Sequence, residues 1–492
     1  MLWRTPVCST FTFTLPRAAV LPPIAPVQPA HLVTMRGAAI HRGETVQLPG
    51  GITSTDLRVK VPLAYDSMGK PKGKGEIEVF ARELVLTKHK SDASRPAMLF
   101  LQGGPGFPSP RVGSKSGWWG KALNEYQIIL LDQRGTGKSS PVTHETLSQL
   151  ASSDQQLEYL VNFRADSIVR DCEVLRRGLL GEGKWVAVLG HSFGGFCLLT
   201  YLSMFPNSIA RGLFTGGIPP AARTIDEVYQ ATYKRCAARN KRFYQRYPLD
   251  VQRVRDIVTY LESNQVQLPA GGHLTVRRFL QLGILLGAGS GFETLHYLLS
   301  EAWIGGDPSK GLSYGFLKEI EALQSIFDIH PIYAILHEQI YCRSKGESSQ
   351  WSASRILGTD DCEIFQWRKS LEQSASTPIY FTGEMVFPWM LEDYAALKNL
   401  KEVAEKLANY SEWPGQLYRL EELQKCQVPC AAAVYYDDMY VELEYSEEVA
   451  HMMPDCKIWV TNRYQHSGLR DDGEKIFSTL LGMVNGEENI PS

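Results

Sequence analysis

The chain has no excess of either charge, because its 51 Lys and Arg residues nearly match its 53 Asp and Glu residues and leave a formal net charge of −2. Proteins that bind nucleic acid through charge carry a basic excess, so we expect no nucleic-acid partner. The chain also lacks any apolar run of the roughly 18–20 residues that a helix needs to cross a bilayer. No membrane partner is therefore expected either.

The cysteines do not form a pairing pattern. There are nine, an odd number, and Cys172, Cys197 and Cys236 fall in helix-like patterns. This distribution fits the reduced thiols of an intracellular protein better than a disulfide framework. Cys426 and Cys430 lie four residues apart, but no second Cys or His pair completes a zinc site, so we predict no metal.

Acidic residues are absent from residues 1–43, where Arg4, Arg17, Arg36 and Arg42 lie among several Ser and Thr residues. An acid-poor, hydroxyl-rich segment with arginines is typical of an organellar transit peptide. A disordered tail on a cytosolic protein fits the same composition, which is also rich in proline. We predict an intracellular protein, located in the cytoplasm, or in a plastid or mitochondrion if this segment directs import.

The length of 492 residues predicts two or three domains. Strand-like apolar runs occur in residues 44–220 and return only in residues 428–492. Residues 221–374 carry long helical patterns instead, and residues 375–427 connect this cap to the core. The distribution predicts an α/β fold class: a mostly parallel central sheet with helices on both faces and a large inserted helical cap domain.

The expected strands fall into two groups. Alternating apolar and polar residues predict an antiparallel pair at residues 57–63 and 77–86. Continuous apolar runs predict buried parallel strands at residues 97–101, 127–131, 185–189, 210–215, 428–436 and 457–461. Between two of these strands, helical spacing over residues 164–180 predicts the helix of a β-α-β unit.

One motif lies between a predicted strand and a predicted helix. Residues 190–194 read Gly-His-Ser-Phe-Gly and follow the apolar run at residues 185–189. A serine on a sharp strand-to-helix turn, flanked by glycines, is the arrangement that presents a nucleophile at the edge of a sheet. Two glycines around a serine also arise by chance in a chain with 42 Gly, but the flanking pattern favours Ser192 as a nucleophile.

A serine nucleophile needs a base and a group that orients the base. His466 follows the strand at residues 457–461 and is the favoured base, whereas His451 lies in a helical pattern. Asp437 and Asp438 end the preceding strand, and one of them is expected to orient His466 while the other is a turn residue. The chain order serine, aspartate, histidine differs from that of chymotrypsin and subtilisin.

An oxyanion needs two amide donors. The Phe193 amide, directly after the serine, supplies one, and the loop 103–106, Gly-Gly-Pro-Gly, supplies the other, for which we choose Gly104. Residues 132–139 contain Gly-Thr-Gly-Lys-Ser but lack the glycine spacing of a phosphate-binding loop, so they indicate a structural turn. No cofactor is predicted.

The three motifs together, residues 103–106, 132–137 and 190–195, resemble the prolyl aminopeptidase (proline iminopeptidase) family of α/β-hydrolases. The Asp-Gln-Arg-Gly-Thr-Gly string is the most specific element, and the resemblance covers residues 75–220 and 428–485. It implies a serine peptidase that releases an N-terminal residue, preferentially proline, from short peptides with a free N-terminus. It also implies a triad: Ser192 as nucleophile, His466 as base and Asp438 as the orienting acid.

The family also uses glutamates of the cap to bind the substrate's α-amino group, which suits the physics because a desolvated ammonium needs a carboxylate. Glu384, in an aromatic-rich segment, is the first candidate and Glu293 the second, although either could be an ordinary surface glutamate. Gln102 departs from the family's usual histidine before the glycine loop, and the cap is longer than in the shorter members.

Two other functions stay open from the sequence. One is an esterase or amidase that uses the same triad on a non-peptide substrate. The other is a hydrolase-like receptor with little turnover, which the complete Ser, His and Asp set argues against. Nothing in the sequence indicates an oligomeric state.

Overall fold

The computed structural model of the chain describes residues 39–488. The predicted transit peptide or tail therefore lies almost wholly outside the described residues, except that residues 41–43 begin the first strand. In the described part of the chain, no helix is both long enough and apolar enough to span a membrane.

The described residues form one nine-stranded sheet in the order β1-β2-β3-β5-β4-β6-β7-β8-β9. Strands β1 to β3 pair antiparallel and β3 is antiparallel to β5, whereas all neighbours from β5 to β9 are parallel. The predicted mostly parallel sheet is confirmed. The strands are β1 (His41–Leu48), β2 (Ile52–Pro62), β3 (Glu76–Leu86), β4 (Ala97–Leu101), β5 (Gln127–Asp132), β6 (Ala187–His191), β7 (Gly212–Thr215), β8 (Cys430–Tyr435) and β9 (Cys456–Thr461).

Alternate side chains of each central strand enter two different cores. Leu99 and Leu101 of β4 face one apolar cluster, and Met98 and Phe100 face the other. All four are buried, as expected for a strand covered on both faces. This explains why the central strands appear in the sequence as unbroken apolar runs.

Helices cover both faces of the sheet. Apolar residues of α4 and α5 join the first cluster, and those of α1 and α19 join the second. The helices outside the insertion are α1 (Gly117–Ala122), α2 (His144–Ser148), α3 (Ser153–Leu160), α4 (Ala165–Leu180), α5 (Phe193–Met204), α17 (Leu443–Met452), α18 (Gly468–Asp471) and α19 (Gly473–Asn485).

A long helical insertion separates β7 from β8, and no strand occurs within it among the described residues. Its first helix, α6, begins with a capping box in which Thr224 and Glu227 exchange hydrogen bonds. The predicted helical cap is thus present; its exact division at residues 374 and 375 stays a prediction. Its helices are α6 (Ile225–Arg246), α7 (Asp250–Ser263), α8 (Val276–Leu280), α9 (Gly291–Ser300), α10 (Tyr314–Ile329), α11 (Pro331–Ile335), α12 (Ser352–Leu357), α13 (Trp367–Glu372), α14 (Met390–Asp393), α15 (Lys401–Asn409) and α16 (Leu420–Leu423).

The turn after β5 is held by a buried ion pair. Arg134 donates two hydrogen bonds to the Asp171 carboxylate, at 2.7 and 2.6 Å, and both side chains are almost fully buried. The same guanidinium donates to the carbonyls of Pro62, Leu63 and Asn162. Arg134 therefore ties the turn to helix α4 and to the end of β2, which is the structural role predicted for this motif.

We expect Arg134→Met to destabilise the protein by about 3–5 kcal/mol, because Asp171 would keep a buried charge without its charged partner. The double variant Arg134→Met/Asp171→Leu should recover part of this loss. Urea unfolding followed by tryptophan fluorescence measures both. Lys345→Met is the control, since Lys345 and Glu412 form an exposed ion pair whose loss should leave the midpoint nearly unchanged. Equal midpoints for Arg134→Met and Lys345→Met would contradict the assignment.

Candidate active site

Ser192 lies on the sharp turn between β6 and α5. Its φ is +53°, a left-handed conformation that non-glycine residues seldom adopt. The turn is held by the Ser192 amide, which donates to the Thr215 carbonyl at 3.1 Å, and by the Gly195 amide, which donates to the Ser192 carbonyl at 2.7 Å. The surrounding backbone thus holds the strained serine at the end of the sheet.

The glycines after Ser192 allow two backbone segments to come very close. A Cβ atom at Gly194 would lie 1.9 Å from the Leu101 carbonyl oxygen, and one at Gly195 would lie 2.2 Å from the Gly217 carbonyl oxygen. Both distances are far below van der Waals contact, and in each case the opposing atom is backbone. The motif needs glycine here because α5 starts in contact with its neighbouring strand ends.

His466 connects Ser192 to Asp438. Its Nε2 lies 2.9 Å from Ser192 Oγ and its Nδ1 lies 2.7 Å from Asp438 Oδ2. The other oxygen, Asp438 Oδ1, accepts from the amides of Tyr440 and Val441 at 2.9 and 3.1 Å. His466 and Asp438 are both buried and Ser192 is partly exposed, so the three side chains form one hydrogen-bonded line in which the serine is the member open to solvent.

The two alternative candidates lie elsewhere. The Asp437 carboxylate accepts a hydrogen bond from Arg242 of α6, so it joins the core to the cap. His451 is exposed in the last turn of α17, at the helix end where a basic side chain is favourable. Neither is among the partners of Ser192 or His466 in the described structure.

The site affects the protonation of two histidines in opposite directions. Burial disfavours the charged form of His466, but the Asp438 charge, its hydrogen bond and the Glu384 charge outweigh burial and raise the pKa of His466 above its usual value. Burial, together with the nearby His466, lowers the pKa of His191 to about 3. His191 therefore stays neutral beside the serine, and its ring centroid lies 5.6 Å from that of His466.

The glycine loop after β4 lies against the serine. A Cβ atom at Gly103 would lie 2.9 Å from Ser192 Cβ and 3.4 Å from its Oγ. Among the described residues, the Gly104 amide has no hydrogen-bond acceptor. The Phe193 amide belongs to the first turn of α5, where amides have no partner within the helix. Two free donors are thus available near Ser192.

Glu384 lies in the cap and faces the same site. The Tyr333 hydroxyl of α11 donates to Glu384 Oε1 at 2.6 Å. A Cβ atom at the preceding Gly383 would lie 3.0 Å from the Met439 side chain, which directly follows Asp438. The packing of Gly383 on Met439 places this segment beside the strand end that carries Asp438, and the Glu384 charge is one of the causes that raise the pKa of His466.

Glu293 has a different environment. It lies in the first turn of α9, where a carboxylate is favourable, and its side chain is about one-third exposed. Its partners are the Arg246 guanidinium, at 2.5 Å, and the Tyr247 hydroxyl, at 3.3 Å. These contacts join Glu293 to the neighbouring helix α6 and its end rather than to a triad residue, and its assignment as a substrate ligand stays a prediction.

Two tyrosines that no local sequence motif identifies border the site. Tyr333 holds Glu384, and Tyr440 packs its ring at 90° to that of His466, with centroids 4.7 Å apart. The Phe107 ring lies 4.9 Å from that of Tyr333 and extends this aromatic wall. Only the position of Tyr440, two residues after Asp438, could have indicated its place from the sequence.

No metal site is formed by the residues that the structure describes. Among residues 39–488, no three His, Cys, Asp or Glu side chains converge in a way that could hold an ion. The eight cysteines in the same range are free thiols, and seven of them, including Cys426 and Cys430, are buried.

Comparison with known proteins identifies the family. The chain matches the α/β-hydrolase fold family over residues 96–261. It is 44% identical over 421 residues to a proline iminopeptidase of Aeromonas sobria, covering 86% of this chain and 94% of that protein. It is 36% identical over 441 residues to proline iminopeptidase aneH of Aspergillus aculeatus, covering 88% and 94%. Because these matches extend through the cap as well as the core, the chain belongs to the proline iminopeptidase family of α/β-hydrolases.

Proposed function

We propose that this protein is a serine aminopeptidase that releases an N-terminal residue, preferentially proline, from short peptides. The observation that carries the proposal is the unbroken line of hydrogen bonds from Ser192 through His466 to Asp438, with contacts of 2.9 and 2.7 Å. The membership of the chain in the proline iminopeptidase family supports the choice of substrate.

In the first half of the proposed reaction, Ser192 Oγ attacks the carbonyl carbon of the N-terminal residue while His466 Nε2 accepts the hydroxyl proton. The carbonyl oxygen becomes negative and receives hydrogen bonds from the amides of Gly104 and Phe193. The carbon–nitrogen bond then breaks, and His466 gives its proton to the leaving amine. Asp438 stabilises the imidazolium between these two steps.

In the second half, a water molecule takes the place of the leaving peptide. His466 Nε2 accepts a proton from this water, whose oxygen attacks the acyl carbon bound to Ser192. The ester bond breaks, the proton returns to Ser192 Oγ, and the free amino acid leaves. The same two amides stabilise the second oxyanion, so the site needs no further group.

In this proposal, Glu384 accounts for the enzyme's preference for substrates with a free N-terminus. Its carboxylate, oriented by Tyr333, would pair with the substrate ammonium in a partly closed site. A peptide that continued beyond this point would leave the carboxylate without its partner, which disfavours internal cleavage. The nearby rings of Phe107, Tyr333 and Tyr440 suit an apolar pyrrolidine ring.

Wild-type protein should release p-nitroaniline from prolyl p-nitroanilide faster than from the alanyl analogue, and much faster than from N-acetylprolyl p-nitroanilide. Ser192→Ala should lose at least about 10⁴-fold in kcat, because the nucleophile is absent. A fluorophosphonate probe should label the wild type but not this variant, while circular dichroism stays the same. Preference for p-nitrophenyl acetate over all three amides would favour an esterase, and absence of turnover would favour a receptor.

The dependence of kcat/KM on pH should report the protonation of His466, the proposed base. Only neutral His466 accepts the serine proton, so kcat/KM should fall as the pH drops through a pKa above the usual value of about 6.5. Asp438→Asn should lower kcat by about 10⁴-fold and move this acidic limb to lower pH, because burial of His466 would then be opposed only by the weaker effect of the Glu384 charge. Asp437→Asn, which removes a charge one residue away, is the matched control and should keep both the rate and the limb. The assignment is wrong if the two variants behave alike.

Glu384→Gln should lower kcat/KM for prolyl p-nitroanilide by about 10- to 100-fold, mainly through KM, because a hydrogen bond to a charged group contributes about 1.5–3 kcal/mol. The rate on N-acetylprolyl p-nitroanilide should hardly change, so the preference for the free amine falls. Glu293→Gln serves as the control and should leave this preference intact. An unchanged preference in Glu384→Gln, or a loss in Glu293→Gln, would contradict the proposed amine anchor.

A further inference from the structure

Gln133 lies directly after β5, in the motif that contains Arg134, and its side chain is buried. Its Nε2 donates to the carbonyl of Gln102 at 2.9 Å. Gln102 is the residue that joins β4 to the glycine loop, whose Gly103 lies against Ser192. The hydrogen bond therefore connects the turn after one strand to the start of the loop after its neighbour.

The other end of the same loop is held by the residue before Gln133. Asp132 Oδ1 accepts from the Ser109 amide at 3.0 Å, and both carboxylate oxygens accept from Arg111, at 2.7 and 2.6 Å. The Asp132 side chain is fully buried. Asp132, the last residue of β5, and Gln133, the residue after it, thus hold the segment between Gln102 and Arg111 from both ends.

The loop needs such anchors because of its composition. Gly103, Gly104 and Gly106 have no Cβ, so their backbone dihedrals have a wide range in the absence of other constraints. A peptide group is planar, so fixing the Gln102 carbonyl also fixes the amide of Gly103. The next peptide carries the Gly104 amide, one of the two oxyanion donors in the proposed mechanism.

We propose that Gln133 is a positioning residue for the oxyanion site, holding the glycine loop through the Gln102 carbonyl so that the Gly104 amide points to the developing negative charge. This inference rests on the proposed function, since it requires acyl transfer at Ser192. Within the Asp-Gln-Arg-Gly-Thr-Gly string, Gln133 would thus support catalysis, whereas Arg134 has a structural role.

The test uses Gln133→Met in the full chain, because methionine has a similar length but no donor. Removal of one oxyanion donor lowers kcat by about 10²- to 10³-fold in a serine protease, and a misdirected donor should cost less. For prolyl p-nitroanilide we expect kcat to fall by about 10- to 100-fold, with KM within about twofold of the wild type. The inhibition constant of prolinal, whose adduct with serine carries an oxyanion, should rise in parallel, whereas that of proline should not.

The matched control is Gln324→Met in α10. Gln324 is also buried, and its Nε2 donates to the Arg278 carbonyl at 2.8 Å within the cap. This variant should lower the unfolding temperature and keep kcat. If Gln133→Met does not fold, Gln133→Ala removes the same donor without placing a new group against the loop, so kcat should fall at least as far.

The inference is overturned if a folded Gln133 variant keeps kcat within about twofold, or if the inhibition constants of prolinal and proline rise equally. The same variants are also assayed on p-nitrophenyl acetate, whose hydrolysis needs the same oxyanion donors. Wild-type protein that cleaves this ester but no prolyl amide would contradict the proposed peptidase function alone. A loss of ester kcat in Gln133→Met would then still support the positioning role.

Discussion

The hydrogen bond between His466 and Ser192 joins two residues that are 274 positions apart in the sequence. It forms because β6, β7, β8 and β9 are parallel neighbours in the sheet, so the loops at their carboxyl ends meet at one edge. Two local features then set the atoms. The positive φ of Ser192 presents its hydroxyl, and the amides of Tyr440 and Val441 hold the Asp438 carboxylate against the imidazole. The triad therefore depends on the strand order.

The cap is part of the site rather than a cover placed over it. The His466 amide donates to the Gly287 carbonyl in the cap, at 3.2 Å. Gly106 of the glycine loop lies against α11, where a Cβ atom would come within 2.9 Å of Ile332. The same helix supplies Tyr333, which holds Glu384. The loop that carries the proposed oxyanion donor and the helix that orients the proposed amine ligand are thus packed on each other, which would let a free N-terminus and a scissile carbonyl be positioned together.

The parts predicted well are those with a strong local signal. The apolar runs located the parallel strands to within a few residues, because a strand buried on both faces must be apolar throughout. β1 was missed, since His41–Leu48 is a mostly exposed edge strand without that pattern and overlaps the segment predicted as a tail. Choosing between Asp437 and Asp438 required the structure, because adjacent carboxylates on a turn point in different directions. The positions of the two candidate glutamates also required the structure. Glu384 lies near the triad and accepts from Tyr333, while Glu293 pairs with Arg246 at the surface.

The sequence by itself determined the family, the strand-turn-helix around Ser192, and the chain order of the three triad residues, because these depend on residue types over short windows and on glycines that tolerate close backbone contacts. Tertiary structure decided which aspartate meets His466, which cap glutamate approaches the triad, and what Gln133 holds. Those pairings join segments far apart in the chain, and their geometry arises only when the sheet and the cap pack together.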